Sequence, residues 1–250
     1  MKALITGASS GLGRDFARIL SEKGYDLILV ARDLDKLKEV EKELKTDVKL
    51  LAYDLSINEN CVRLYEDVRK ENINILINNA GFGVFGNFSE THLEEELEML
   101  YTNVEAVHIL TKLFYKKFMK DGQGRILNVS SSAAFQPGPL MAGYYAGKSY
   151  VYSLTCALSE EARRNKSNVK LSVLCPGPVN TNFNNVAGVT FGIKAMESYE
   201  VCKYALEQMF KNKLVIIPGF SIKLIYIFGR FLPVKLITRI TYNIQKKKVR

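Results

Sequence analysis

Short apolar runs rich in Ile, Leu and Val alternate along the chain with longer stretches whose apolar side chains recur every three or four residues. The runs predict β-strands near 2–6, 26–31, 49–53, 74–78, 124–129, 169–174 and 214–217. The longer stretches predict helices near 12–23, 33–45, 57–70, 90–119, 143–165 and 194–211. Such alternation predicts the α/β class: one doubly wound domain over residues 1–250, a seven-stranded parallel sheet with helices on both faces. The region 90–119 is long enough for two helices, with Ser89-Glu90 able to start the first. No Pro- or Ser-rich linker and no solenoid-length repeat divides the chain. Past the seventh strand, Ile222, Ile225, Phe228 and Leu232 recur at helical spacing, and Gly229 and Pro233 interrupt them. Val234 to Ile244 resumes the pattern, interleaved with Lys235, Arg239 and Lys246 to Lys248. Residues 219–250 therefore read as a basic amphipathic extension.

Composition changes this picture at three points. With 250 residues, 28.2 kDa and 47% hydrophobic side chains, the chain can bury one sizeable core. The formal charge of +9 is not spread evenly. Residues 211–250 carry ten Lys or Arg and no Asp or Glu, leaving 25 basic against 26 acidic side chains in residues 1–210. A nucleic-acid partner is therefore disfavoured, because the body is nearly neutral and no recognised nucleic-acid module is present. For the basic extension the leading reading is packing over a substrate pocket or subunit interface, and the second is peripheral contact with an anionic membrane. Four cysteines (Cys61, Cys156, Cys175, Cys202) lack CxxC spacing, so reduced thiols, a cytoplasmic setting and no metal site are expected. His92 and His108 are isolated and offer no metal pair. Glycines follow the first five residues at once, which leaves no room for a signal peptide, and no apolar run is long enough to span a membrane.

Candidate chemistry concentrates in two places. Thr6-Gly7-Ala8-Ser9-Ser10-Gly11-Leu12-Gly13 lies between the first strand and the first helix, where backbone N–H groups and the positive helix end would cradle a phosphate. Its Gly-x-x-x-Gly-x-Gly spacing departs from the Gly-x-Gly-x-x-Gly dinucleotide fingerprint. The second strand ends in Ala31-Arg32, and an arginine there suits a 2′-phosphate, which favours NADP. Asp33 keeps NAD as the alternative, and Ser10 stands where a basic residue would have reinforced NADP. The second place is Tyr144 and Lys148, which share one helix face at i and i+4. Tyr-x-x-x-Lys also occurs at Tyr199/Lys203 and Tyr242/Lys246. Only Tyr144 has a hydroxyl thirteen residues upstream, Ser131; Val186 and Gly229 stand at the equivalent positions. The adjacent Tyr145 has Ser149 at i+4, which cannot stabilise a phenolate, so it is read as a lining or packing residue.

In order along residues 1–181 these motifs resemble the short-chain dehydrogenase/reductase family in its form of roughly 250 residues, with a Rossmann-type fold. Gly7, Ser9, Ser10, Gly11, Leu12 and Gly13 are similar to its coenzyme loop, and Asp54 and Leu55 to its adenine contact. Asn78-Asn79-Ala80-Gly81 resembles the segment that places Asn79, Ala80 and Gly81 beside the coenzyme. Pro176, Gly177, Val179 and Thr181 resemble the loop that meets the nicotinamide. The resemblance implies that Tyr144 is the acid for carbonyl reduction and the base for alcohol oxidation. Lys148 would lower its pKa and bind the nicotinamide ribose, Ser131 would hold the substrate oxygen, and Asn103 would anchor a water linking Lys148 to solvent. It further implies a substrate lid over residues 179–194 and a homodimer or homotetramer built through the helices near 90–119 and 143–165. Phe183, Val186, Val189, Phe191 and Ile193 would make that lid apolar, with Leu140 and Met141 just before Tyr144, so an apolar carbonyl or alcohol is the expected substrate. The alternative is a nucleotide-binding sensor or scaffold of the same fold without turnover, which would have no need of an acid–base pair.

Overall fold

The computed structural model describes residues 1–181 and 195–246. In chain order it contains β1 (Lys2–Thr6), α1 (Gly11–Glu22), β2 (Asp26–Ala31), α2 (Leu34–Glu41), β3 (Val48–Ala52), α3 (Asn58–Val68) and β4 (Ile73–Asn78). Then follow α4 (Leu93–Leu100), a π turn (Tyr101–Glu105), α5 (Ala106–Asp121), β5 (Gln123–Val129), a 3₁₀ turn (Ser132–Phe135), α6 (Ala142–Arg164) and β6 (Asn168–Leu174). The remainder is β7 (Val179–Asn180), β8 (Met196–Glu197), α7 (Ser198–Phe210), β9 (Val215–Ile216), α8 (Phe220–Phe228), a second 3₁₀ turn (Gly229–Phe231) and α9 (Val234–Lys246).

Seven parallel strands form one sheet in the order β3-β2-β1-β4-β5-β6-β9. Alternate side chains of one strand enter opposite cores, as the period of two requires. Leu27 and Leu29 face a layer with Phe16, Leu37 and Leu206 from α1, α2 and α7. Ile28 and Val30 face a layer with Leu64, Phe114 and Ala162 from α3, α5 and α6. The order reverses between β1 and β4, so the loops after these two strands diverge and open a crevice at their carboxyl ends.

Three local features differ from the sequence reading. The helical region near 90–119 begins only at Leu93, with His92 as its N-cap in place of Ser89-Glu90, and its two helices, α4 and α5, are joined through the π turn without a break. Helix α2 ends at Glu41; its start is fixed by Asp33, whose Oδ1 accepts from the Lys36 N–H at 3.1 Å. The two-residue parallel pair β7–β8 flanks the predicted lid. Phe183, Val186, Val189, Phe191 and Ile193, expected to line the lid, lie outside the described residues.

Candidate active site

Glycine geometry builds the phosphate end of the crevice. Gly7 (φ +64°) and Gly11 (φ +51°) adopt the left-handed conformation that side chains disfavour. A Cβ on Gly7 would lie 2.8 Å from the Ala80 backbone, so the first loop and the Asn79-Ala80-Gly81 segment touch directly. The Thr6 hydroxyl accepts from the N–H groups of Asn79 (3.0 Å) and Ala80 (3.1 Å), while Asn79 Nδ2 donates back to Thr6 O (3.0 Å) and Gly7 O (3.1 Å). This cross-link ties the segments that follow β1 and β4 to each other at the floor of the crevice. Gly13 lies behind the loop, where a Cβ would fall 2.1 Å from Gly7 O; its part is to let α1 approach rather than to face the crevice.

The crevice is a cleft of about 660 Å³. Gly7, Ser9, Ser10, Gly11 and Leu12 line it, as do Arg32, Asp54 and Leu55 at one end. Asn79, Ala80, Gly81, Ser131, Tyr144 and Lys148 line its middle, and Pro176, Gly177, Val179 and Thr181 its far wall. Of the coenzyme and catalytic residues expected at the site, Gly13 and Asn103 stand behind the lining; on the substrate side Met141 lines the cleft and Leu140 does not.

Asn103 sits at the centre of the π turn and is buried. Its Oδ1 accepts from the Phe82 N–H at 3.0 Å and its Nδ2 donates to Phe82 O at 2.7 Å. A Cβ on Gly81 would meet Asn103 Oδ1 at 2.6 Å. The side chain thus clamps the Gly81-Phe82 backbone, and the widened turn is what lets it reach inward.

Ser131 ends the segment after β5 and accepts from the Ala133 N–H at 3.1 Å, and its hydroxyl is hydrogen-bonded to the side chain of Tyr144. Tyr144 and Lys148 project from the first turns of α6, and both are buried. Lys148 Nζ donates to Val129 O at 3.0 Å and lies 5.7 Å from the centre of the Tyr144 ring. Burial dominates both groups. It pushes the Tyr144 phenol up to about 12, against the opposing hydrogen bond from Ser131, and draws the Lys148 ammonium down to about 8. Burial thus opposes ionisation of the Tyr144 phenol, while the hydrogen bond from Ser131 favours it.

Sequence reasoning missed Glu98, which lines the cleft from α4 and accepts from Arg32 Nη1 at 2.6 Å. Nothing marked it out among Glu94, Glu95 and Glu96. Asp33 is engaged as the α2 cap and pairs with Lys36 Nζ at 3.3 Å. Tyr145 lines the cleft and accepts from Gln245 Nε2 of α9, a contact across 100 residues. Among the described residues no group of three or more His, Cys, Asp or Glu could hold a metal ion.

The donor set fits a dinucleotide: a helix N-terminus behind glycines too crowded for side chains, a cationic arginine at one end and a buried ammonium beside a phenol at the other. Comparison with known proteins agrees. A family model described as short chain dehydrogenase matches residues 1–190. An oxidoreductase of Staphylococcus epidermidis is 28% identical over 212 residues, covering 82% of this chain and 90% of that one. The 17-beta-hydroxysteroid dehydrogenase type 3 of Mus musculus is 32% identical over 187 residues, 72% of this chain, which spans only 60% of that enzyme. A short-chain dehydrogenase from Sphingobium yanoikuyae, solved in complex with NADPH, superposes with a TM-score of 0.84 at 28% identity, covering 94% of each chain. The chain therefore belongs to the short-chain dehydrogenase/reductase family of NAD(P)-dependent oxidoreductases.

Proposed function

We propose that this protein is an NADP-preferring oxidoreductase that interconverts an apolar carbonyl compound and its alcohol, with Tyr144 as the acid and base. The observation that carries the reading is the buried Ser131–Tyr144–Lys148 cluster on the wall of a cleft that also holds the glycine loop. When bound, the coenzyme supplies or accepts the hydride. Ser131 orients the substrate oxygen toward Tyr144 Oη. In reduction the Tyr144 phenol gives its proton to that oxygen as negative charge develops there; in oxidation the phenolate takes the alcohol proton. Lys148, its pKa drawn down to about 8 by burial, stabilises the phenolate and passes a proton back to it. Asn103 holds Lys148's surroundings in register, and the water link expected there remains part of this proposal.

Three observations favour NADP. The Arg32 side chain is 63% exposed at the cleft end, Lys36 stands one helical turn away, and Asp33 is occupied as a cap. An apolar substrate agrees with Phe82, Met141 and Tyr145 on the cleft wall and with the steroid and very-long-chain acyl relatives named by their enzymes. By resemblance, the reading includes a cytoplasmic homodimer or homotetramer assembled through α5 and α6. Thermal melts with NADPH and NADH, followed by turnover of a ketone and aldehyde panel, test it. NADPH should protect more strongly. Tyr144→Phe should lower turnover by about a hundredfold or more with coenzyme protection retained. Full turnover in that variant would remove Tyr144 from the mechanism.

A further inference from the structure

Helices α8 and α9 each have an inward face that is accounted for. Ile222 packs against Gly177, where a Cβ would lie 2.9 Å from its Cδ1, and the Tyr226 ring sits 4.7 Å from Phe135. Ile237, Thr241 and Gln245, spaced at i, i+4 and i+8, are the buried stripe of α9. The outward face is not accounted for. Phe220 is 74% exposed, Phe228 61%, Phe231 81% and Val234 67%, in a segment where water would normally drive such side chains inward.

On α9 the exposed positions sort by type. Leu236, Ile240 and Ile244 form an apolar stripe beside the buried one, and Lys235, Arg239 and Lys246 form a basic stripe on the opposite side. Residues 211–250 hold ten basic side chains and no acidic one, in a chain whose other 210 residues nearly balance. An apolar ridge bordered by uncompensated positive charge is complementary to an anionic lipid surface: the ridge enters the acyl boundary and the ammonium and guanidinium groups meet phosphate. A second copy of the chain would bring the same positive charges together, which argues against self-association through this face.

We propose that α8 and α9 form a docking surface that seats the protein on an anionic bilayer without crossing it. Among the described residues no helix is long and apolar enough to span one. The inner side of the same helices backs two residues of the cleft wall, with Ile222 against Gly177 and Gln245 on Tyr145. A docked molecule thus has these helices between its cleft wall and the lipid, which brings the cleft close to an apolar substrate dissolved there. Docking itself does not depend on the reaction proposed above and is read without turnover.

The test is flotation of the full chain with vesicles of phosphatidylglycerol or of phosphatidylcholine, at low and high salt. The expected result is flotation with phosphatidylglycerol, weakened by salt, and little with phosphatidylcholine. Phe228→Ser with Phe231→Ser, and separately Lys235→Glu with Arg239→Glu, should each lower partitioning by about tenfold or more. All four side chains are exposed, so unchanged circular-dichroism melts show that folding is intact. No flotation, or flotation that both variant pairs leave unchanged, overturns the proposal. So does a wild-type dimer by light scattering that becomes a monomer in the Phe pair and never floats, which would assign the face to a second copy.

Discussion

At the residue scale, the coenzyme end of the cleft is set by a competition for Arg32. Its guanidinium is held by Glu98 at 2.6 Å, and both side chains are well exposed, so the pair contributes only about 0.2–1 kcal/mol. A 2′-phosphate, with more charge and a bidentate fit to guanidinium, should displace it. Glu98→Gln is therefore expected to tighten NADPH binding by up to about fivefold while leaving NADH nearly unchanged, as calorimetry can measure. Equal tightening of both coenzymes would mean that Glu98 acts on something other than the 2′ position. Lys148 makes a second prediction through its burial. Its pKa is drawn down to about 8 from 10.5. Below about pH 8 the folded and unfolded chains both hold the proton, and the folded one carries the full cost of burying the charge. Between about pH 8 and 10.5 only the unfolded chain holds it, so folding stability rises with pH across that window. Lys148→Met should thus melt higher than the wild type near neutral pH, with the gap closing toward about pH 10. A gap that stays constant would show that the ammonium is not the buried charge. Tyr144, Lys148, Ser131 and Arg32 were legible in the sequence because strand ends and helical spacing place them. Glu98 was not, because its partner comes from 66 positions away and pattern carries no such information.

At the element scale, the rod from α4 through α5 shows what periodicity misses. The π turn at Tyr101–Glu105 adds one residue to the helical rhythm, and the Ala106 N–H bonds back to Tyr101 O across five positions. An apolar pattern with period 3.6 reads straight through such a turn, so the sequence located the rod but neither its interruption nor the inward aim of Asn103. Resemblance alone had singled out this residue, as the anchor of a water. Its observed use is to hold the Phe82 backbone with both ends of the amide, which fixes the segment carrying Asn79 and Gly81 beside the glycine loop. Asn103→Ala would leave a backbone N–H and a carbonyl without these partners, each costing about 1–3 kcal/mol where water cannot replace it. At about 2–4 °C per kcal/mol for a chain of this size, the melting temperature should fall by about 4 °C or more. Coenzyme binding should weaken alongside it. An unchanged melt with lost turnover would instead assign Asn103 to proton transfer alone.

At the scale of the whole molecule, strand and helix alternation with right-handed crossovers leaves few arrangements, which is why the seven-stranded sheet could be read from the chain. The β7–β8 pair could not, since two-residue strands have no period to detect. The extension was legible as amphipathic helices, with packing over a substrate pocket or a subunit interface as its leading reading, but the contacts it makes behind the cleft were not legible, because they are long-range. Gln245 is fully buried at the inner end of α9 and donates to Tyr145, whose ring lies 6.2 Å from that of Tyr144. The last helix among the described residues is thereby tied to the side chain next to the proposed acid. Gln245→Ala removes the donor from the half-buried Tyr145 hydroxyl and leaves a cavity at a buried position, so a loss of about 1 kcal/mol is expected. Tyr145→Phe in the same chain removes the stranded hydroxyl and should restore part of that loss, making the pair non-additive in a double-mutant cycle. Because the contact lies beside Tyr144 rather than at the glycine loop, the proposed function predicts that KM for an apolar ketone rises in Gln245→Ala while NADPH affinity holds. Additive melts, with KM unchanged, would mean that α9 rests on the cleft without shaping it.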